Sequence, residues 1–581
     1  MVLLYGVLPA QDIITRSVCV KNESSGKIYL NKIESASLDF LYGDYELLTF
    51  YGRHAMERNV QRVPVVHGTQ KIGSVRGTSS HQYNPMMILA EKETTEDKGN
   101  CYAMSFVYSG CFQGEVLKDQ LNQTRMMLGL QEEAFRYPLE TGEMFQAPEV
   151  ILSYSAEGMN RLSQNLHHCI RQHICRGKYK EEIRPILINS WEAAYFDFTG
   201  DTIYELAKAA KEVNIDMLVM DDGWFGKRDD DNSGLGDWFV NEKKLGGTLG
   251  DLIKKINDLG VKFGIWVEPE MISEDSDLYR EHPDWAFTIP GRNPVHARNQ
   301  LVLDFSRKEV VDHIFDQICK VLDQGNIEYV KWDMNRSLMD VFSRGTEDQG
   351  RVMYDYVLGL YDFLERIVTR YPDLLIEGCS GGGGRFDAGM MYYCPQIWCS
   401  DDTDAHERTF IQYGTSFFYP TSTVGSHVSA VPNHQTGRIT SIETRGVVAM
   451  AGSFGYELDL NQLSEEEKAV VAKQVTHYKE YQSLIYNGDY YRLANPFEDG
   501  MSAWSWISED KKTILVQGVL FRAKPNVLRK TLRLMGLEAK KNYKIAGTEE
   551  VYTGVALMSG GVLLQRAVGD DVSFEIVLEE I

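Results

Sequence analysis

The 581-residue chain lacks the marks of several protein classes. Its nine cysteines (Cys19, Cys101, Cys111, Cys169, Cys175, Cys319, Cys379, Cys394 and Cys399) are odd in number and scattered, unlike a disulfide scaffold. That usage suits a reducing cytoplasm. No stretch reaches the roughly 18 uninterrupted apolar residues that a membrane-crossing helix needs. Met1 to Ala10 is apolar, but it carries no basic residue and turns polar from Gln11, so it makes a poor signal peptide. Basic runs are missing too: Lys and Arg number 60 against 83 Asp and Glu, a formal net charge of −23. This balance argues against nucleic acid as a partner, and the short apolar runs argue against a membrane.

Metal and cofactor signatures are equally sparse. Cys169 and His173 stand four apart in a helical stretch, but no second pair at a metal-site spacing follows. Glu268-Pro269-Glu270 has no histidine ligands beside it. Asp229 to Gly234 opens like a calcium loop, yet its twelfth position is Val240 rather than Glu. Gly381 to Gly384 is not followed by the Lys-Ser/Thr pair of a phosphate loop. Neither a metal nor a cofactor is expected.

What is present is a full core: 43% of residues are hydrophobic and 25% charged, ordinary for a globular protein of roughly two to four domains. Residues 1–157 read as part of a β-sandwich, with short runs such as Tyr45 to Phe50 and Tyr102 to Tyr108 broken by turn residues. Residues 158–183 read as a helical linker, 184–485 as an α/β domain, and 486–581 as a small C-terminal β domain.

In the α/β stretch, apolar runs of strand length alternate with helical patterns. The runs are Ile186 to Ile188, Met217 to Met220, Phe263 to Val267, Leu301 to Leu303, Tyr329-Val330, Leu374 to Ile376 and Ile397-Trp398. Helices are expected over 249–259, stopped by Gly260, over 308–324, stopped by Gly325, and over 350–370, stopped before Pro372. Seven such units predict a (β/α)8 TIM barrel, with the eighth strand between Tyr419 and Leu460. Each run ends in polar residues, where a barrel carries its active face.

The end of the fifth run is the most informative. In Lys331-Trp332-Asp333-Met334-Asn335, residues two apart share a face, so Lys331, Asp333 and Asn335 project together. A buried lysine and aspartate are costly unless paired with each other or with a ligand. Asp221, Asp222, Asp401 and Asp402, Arg298, and the indoles of Trp191, Trp224 and Trp266 are expected to converge with them. Paired carboxylates with aromatic platforms suit hydrolysis of a glycosidic bond. Rings stack on the C–H face of a sugar, and charged side chains take its hydroxyls.

Asp221-Asp222-Gly223-Trp224, Lys331 to Arg336, Glu377 to Asp387 and Trp398 to Ala405 together resemble the α-galactosidases of glycoside hydrolase family 36. The resemblance runs from about residue 20 to the C-terminus and implies a retaining exo-hydrolase of terminal α-linked galactose. It implies Asp333 as nucleophile and Asp401, rather than the adjacent Asp402, as acid/base. Asp221 and Asp222 would hold the 4- and 6-hydroxyls, and Lys331 and Arg298 the hydroxyls across the ring. Trp191 would be an aromatic wall, Cys379 and Gly382 would shape the pocket near the 2-position, and Trp332, Asn335 and His54 would complete it. Lys331 is expected to keep Asp333 ionised, and Asp402 to raise the pKa of Asp401.

Two features depart from the family. Its N-terminal supersandwich usually starts well upstream of Met1, so unpaired strand edges are expected here, weakening a dimer or tetramer. An N-terminal extension would then raise thermal stability and favour a tetramer. His54 also stands where many members carry tryptophan. The alternatives are an α-N-acetylgalactosaminidase or a transglycosylase on the same scaffold, or an inactive sugar-binding protein.

Overall fold

A computed structural model describes residues 1–526 and 528–581. Its N-terminal part is an antiparallel eight-stranded sheet facing a three-stranded one. The strand Tyr83–Glu91 lies inside the large sheet and is buried along nearly its whole length. Gly114, on the facing sheet, lets the layers close, because a Cβ there would stand 2.8 Å from the Met87 sulfur. One edge of the large sheet is Val2–Leu8, an exposed apolar strand. The other is Met56–Pro64, whose hairpin with Tyr45–Arg53 reaches the next domain. The helix Gly158–Cys169 and a π turn, Ile170–Ile174, lead onward. Within them Cys169 is buried and His173 exposed.

Eight parallel strands then close into a barrel. They are β1 (Leu187–Asn189), β2 (Met217–Met220), β3 (Lys262–Val267), β4 (Ile327–Trp332), β5 (Leu375–Gly378), β6 (Gln396–Trp398), β7 (Val424–Ser429) and β8 (Ser453–Glu457). The three expected helices form at Leu249–Asp258, Lys308–Leu322 and Val352–Arg370. Their apolar stripes are buried, including Leu252, Ile253 and Ile256 on the first and Ile314 and Ile318 on the second.

The seven-unit reading needs correction at two places. Leu301-Val302 pairs antiparallel with Met271-Ile272 in the long β3–β4 connection, outside the barrel. It is apolar because it packs beneath that loop, with neighbouring Leu303 bridging to Ala286. The segment 419–460 supplies two strands rather than one. Both are polar: Val424–Ser429 reads VGSHVS and Ser453–Glu457 reads SFGYE, with every residue buried. Hydrogen bonds such as Ser429 Oγ to the Thr403 carbonyl (3.0 Å) make that burial tolerable.

The C-terminal part is a six-stranded antiparallel sheet. Trp504 and Trp506 join the core shared by the barrel and the N-terminal sandwich. The opposite face has its own core, with Ile514, Val516, Tyr543 and Leu578.

Candidate active site

The carboxyl ends of the barrel strands surround a cavity of about 230 Å³. Period-two alternation along β4 and its extension sends Lys331, Asp333 and Asn335 into it. Trp332 points the other way. Its indole nitrogen donates to Glu270 at 2.9 Å and its ring meets Phe363, edge to face, at 5.0 Å. It therefore does not line the cavity, which corrects its expected place in the pocket. Trp224 is likewise behind the wall, donating to the Trp266 carbonyl at 2.9 Å.

Four N–H donors converge on Asp333: Asn335 Nδ2 at 2.7 Å, Met334 N at 2.8 Å, Trp266 Nε1 at 3.2 Å and Gly381 N at 3.3 Å. Lys331, expected to be its electrostatic partner, instead pairs with Asp221 at 3.0 Å. The alternation that puts Lys331 and Asp333 on one face also separates them along the strand, and β2 brings Asp221 nearer. Burial opposes the ammonium, but Asp221 and the more distant Glu457 hold its pKa well above the ordinary value. Asp221 also accepts from Asn189 at 2.7 Å. Asp222 is held bidentately by Arg228, at 3.1 Å through Nε and 2.8 Å through Nη2. Burial raises the pKa of Asp222 even so.

Of the adjacent acids after β6, Asp401 lines the cavity and Asp402 does not. Asp402 turns inward and accepts from the Asp404 backbone at 3.0 Å, and burial pushes its pKa up to about 6. Asp401 behaves opposite to expectation. Burial pushes its pKa up, but the His54 hydrogen bond, then the charges of His54, Lys331 and Arg298, bring it below the ordinary value. His54 Nε2 lies 2.8 Å from Asp401 Oδ2, and Trp398 Nε1 donates to Oδ1 at 3.2 Å. These cations, and not the adjacent Asp402, set the direction of the shift.

Trp191, Arg298 and His54 line the cavity as expected. Cys379 is buried behind the wall rather than lining the cavity, and its backbone N–H donates to the Trp332 carbonyl at 2.6 Å. Gly382 also lies behind the wall. A Cβ there would stand 2.6 Å from the Asp401 nitrogen, and its φ is +77°. Its role in the geometry is to let the Gly-rich loop pass under Asp401.

Several lining residues were not foreseen: Glu192, Arg228, Gln300, Trp398, His434, Gln435 and Glu457 among them. Glu457 ends β8, whose polar sequence hid it. Burial raises its pKa despite His427, 3.2 Å away. Arg228 is six residues past Asp222, a spacing with no periodic signal. Trp398 stood inside a recognised motif without being assigned to the site. Among the described residues, no cluster of three or more His, Cys, Asp or Glu could hold a metal. Among the same residues, no helix is long and apolar enough to cross a membrane.

Comparison with known proteins gives this geometry its relatives. The Melibiase family model matches residues 144–488, and the N- and C-terminal domain models of glycosyl hydrolase family 36 match 1–140 and 501–578. The chain is 61% identical to the bifunctional α-galactosidase/sucrose kinase AgaSK of Mediterraneibacter gnavus. That match covers all of this chain but only 61% of AgaSK, so the chain spans about three-fifths of that relative's length. It is 46% identical to α-galactosidase AgaA of Geobacillus stearothermophilus, over 98% of this chain and 78% of AgaA. The solved galactosidase domain of AgaSK superposes with a TM-score of 0.98, covering 100% of this chain and 80% of that one. An AgaA variant solved in complex with raffinose also gives 0.98, at 45% identity, covering 100% and 81%. With matches running from the first residue to 578, the chain belongs to glycosyl hydrolase family 36.

Proposed function

We propose that this protein is an α-galactosidase that removes terminal α-linked galactose from melibiose- or raffinose-type substrates with retention of configuration. In this reading Asp333 attacks the anomeric carbon and Asp401 protonates the leaving oxygen, then activates water. One observation carries it: two carboxylates, Asp333 and Asp401, face one small cavity whose remaining wall is hydroxyl-binding and aromatic. Asp221, Asp222, Lys331 and Arg298 offer both signs of charge to sugar hydroxyls, and Trp191 a flat face. The volume is below the roughly 300–1,000 Å³ of drug-sized sites, which suits one terminal sugar rather than an internal chain segment. Relatives named α-galactosidases, and one solved with raffinose, support the substrate class.

The protein works in the reducing cytoplasm as a homo-oligomer. Nine free, buried cysteines support the compartment. The test of the activity is Asp333→Ala, assayed on p-nitrophenyl α-galactoside, α-N-acetylgalactosaminide and α-glucoside. The wild type should turn over the galactoside. The variant should fall to background and recover with azide, giving the β-galactosyl azide. A variant of near-normal activity would refute the assignment, and preference for the N-acetyl substrate would change the sugar.

A further inference from the structure

The residue that holds Asp401 comes from outside the barrel. His54 sits in the turn between Tyr45–Arg53 and Met56–Pro64, with half of its side chain facing solvent. Its backbone is fixed by two buried neighbours. Glu57 accepts from Ser400 Oγ at 2.5 Å, and Arg58 donates to the carbonyls of Cys399 at 2.6 Å and Gly383 at 3.2 Å. The turn is thus anchored to the end of β6, while the imidazole stays at the rim. The other oxygen of Asp401 is held by the Trp398 indole, which does not release its proton at neutral pH. An imidazolium does.

A general acid must carry a proton when the glycosidic oxygen departs, and an aspartate ion-paired to a cation does not. We propose that His54 and Asp401 share one proton and that His54 delivers it to Asp401 for departure of the leaving sugar. This rests on the reading of Asp401 as the acid/base. The proton passes from His54 Nε2 to Asp401 Oδ2, leaving a neutral imidazole and a carboxylic acid. That acid protonates the glycosidic oxygen as its bond to C1 breaks, the bonding pair going to the oxygen. A carboxylate oxygen of Asp333 forms the new bond to C1. In the second half, Asp401 takes a proton from the water attacking C1 and His54 takes it back, while the bond from C1 to Asp333 breaks and its pair returns to the Asp333 carboxylate.

The surrounding charges decide where the shared proton rests. The Asp401 hydrogen bond raises the pKa of His54 above its ordinary value; burial opposes this, Glu57 assists and Arg298 opposes. Lys331 and Arg298 favour the Asp401 carboxylate. His434 faces Asp401 from the loop after β7, and His81 meets His54 edge-on at 5.7 Å. The resting pair is therefore imidazolium–carboxylate, and it keeps its proton until the pH passes the raised histidine value.

The test compares kcat/KM for raffinose, whose leaving sugar needs a proton, with 2,4-dinitrophenyl α-galactoside, whose leaving group does not. Wild type, His54→Gln and His54→Trp are measured across pH 5–9. Both variants should lower the raffinose-to-dinitrophenyl ratio by about tenfold or more at pH 7. The basic limb for raffinose should move to lower pH. Equal proportional losses on both substrates, or an unmoved limb, would overturn the proposal. Recovery of the ratio by tryptophan, which fills the rim without a transferable proton, would do the same. If wild type releases no galactose from either substrate, the hydrolase reading falls and this proposal with it.

Discussion

At the residue scale, Lys331 and Asp221 are both almost wholly buried, so each depends on the other for charge compensation. Removing one partner of a buried pair costs about 3–5 kcal/mol, because the survivor keeps its desolvation penalty. Lys331→Met should therefore lower the denaturant midpoint and reduce kcat/KM on p-nitrophenyl α-galactoside by about 100-fold or more. Both losses are read from the same preparation. A second residue, Glu268, lies beneath Asp333 and was noticed in the sequence only for what it lacks. Burial pushes its pKa up to about 8, with the charge of Asp333 adding to the shift. It accepts from Asn335 N at 2.5 Å and Gln300 Nε2 at 2.7 Å. Unfolding lets it ionise near pH 4.5, so between there and about pH 8 the unfolded state gains from ionisation and the wild type loses stability. Glu268→Gln has no proton to lose. Its thermal midpoint should rise relative to wild type as pH goes from 4.5 to 8, and a constant offset would disprove a neutral Glu268.

At the element scale, the hairpin carrying His54, Glu57 and Arg58 makes the sandwich part of the barrel mouth. Arg58 also donates to Thr415 Oγ1 at 2.7 Å and stacks over Phe386 at 4.5 Å. Hydrogen bonds to a charged group are worth about 1.5–3 kcal/mol each, and Arg58→Ala would leave the Cys399 carbonyl without its guanidinium partner. That variant should unfold earlier in urea, and its kcat should fall because Asp401 follows Cys399 by two residues. Retention of full kcat would show that Asp401 needs no such support. The same elements show what the sequence revealed. Strands β1 to β6 were visible as apolar runs because both faces of a parallel strand are buried. Strands β7 and β8 were not, since Ser426, His427, Ser429 and Glu457 are paired internally, and the two-residue strand Leu301-Val302 passed for one of them. The motif residues Asp333 and Asp401 were readable; the partners that set their chemistry, His54 for Asp401 and Asp221 for Lys331, are 347 and 110 residues away. No local pattern encodes such pairs.

At the scale of the whole molecule, one continuous core runs from the N-terminal sandwich through the barrel to Trp504 and Trp506. The exposed strand Val2–Leu8 departs from this closure, with Val2 57%, Tyr5 60% and Val7 65% exposed. An apolar edge strand pairs with whatever chain meets it, a segment leading into Met1 or another copy. Tyr5→Lys with Val7→Lys should shift the sedimentation coefficient toward a smaller species without changing the far-UV spectrum. An unchanged coefficient would place any subunit contact elsewhere. The chemistry of the whole molecule turns on one carboxylate at the barrel mouth. Incubation with 5-fluoro-α-D-galactosyl fluoride, followed by proteolysis and peptide mass mapping, labels the residue that attacks C1. The expected result is a fluorogalactosyl adduct on Asp333; an adduct on Asp401, Asp221 or Asp222, or full inactivation with no adduct, would contradict it.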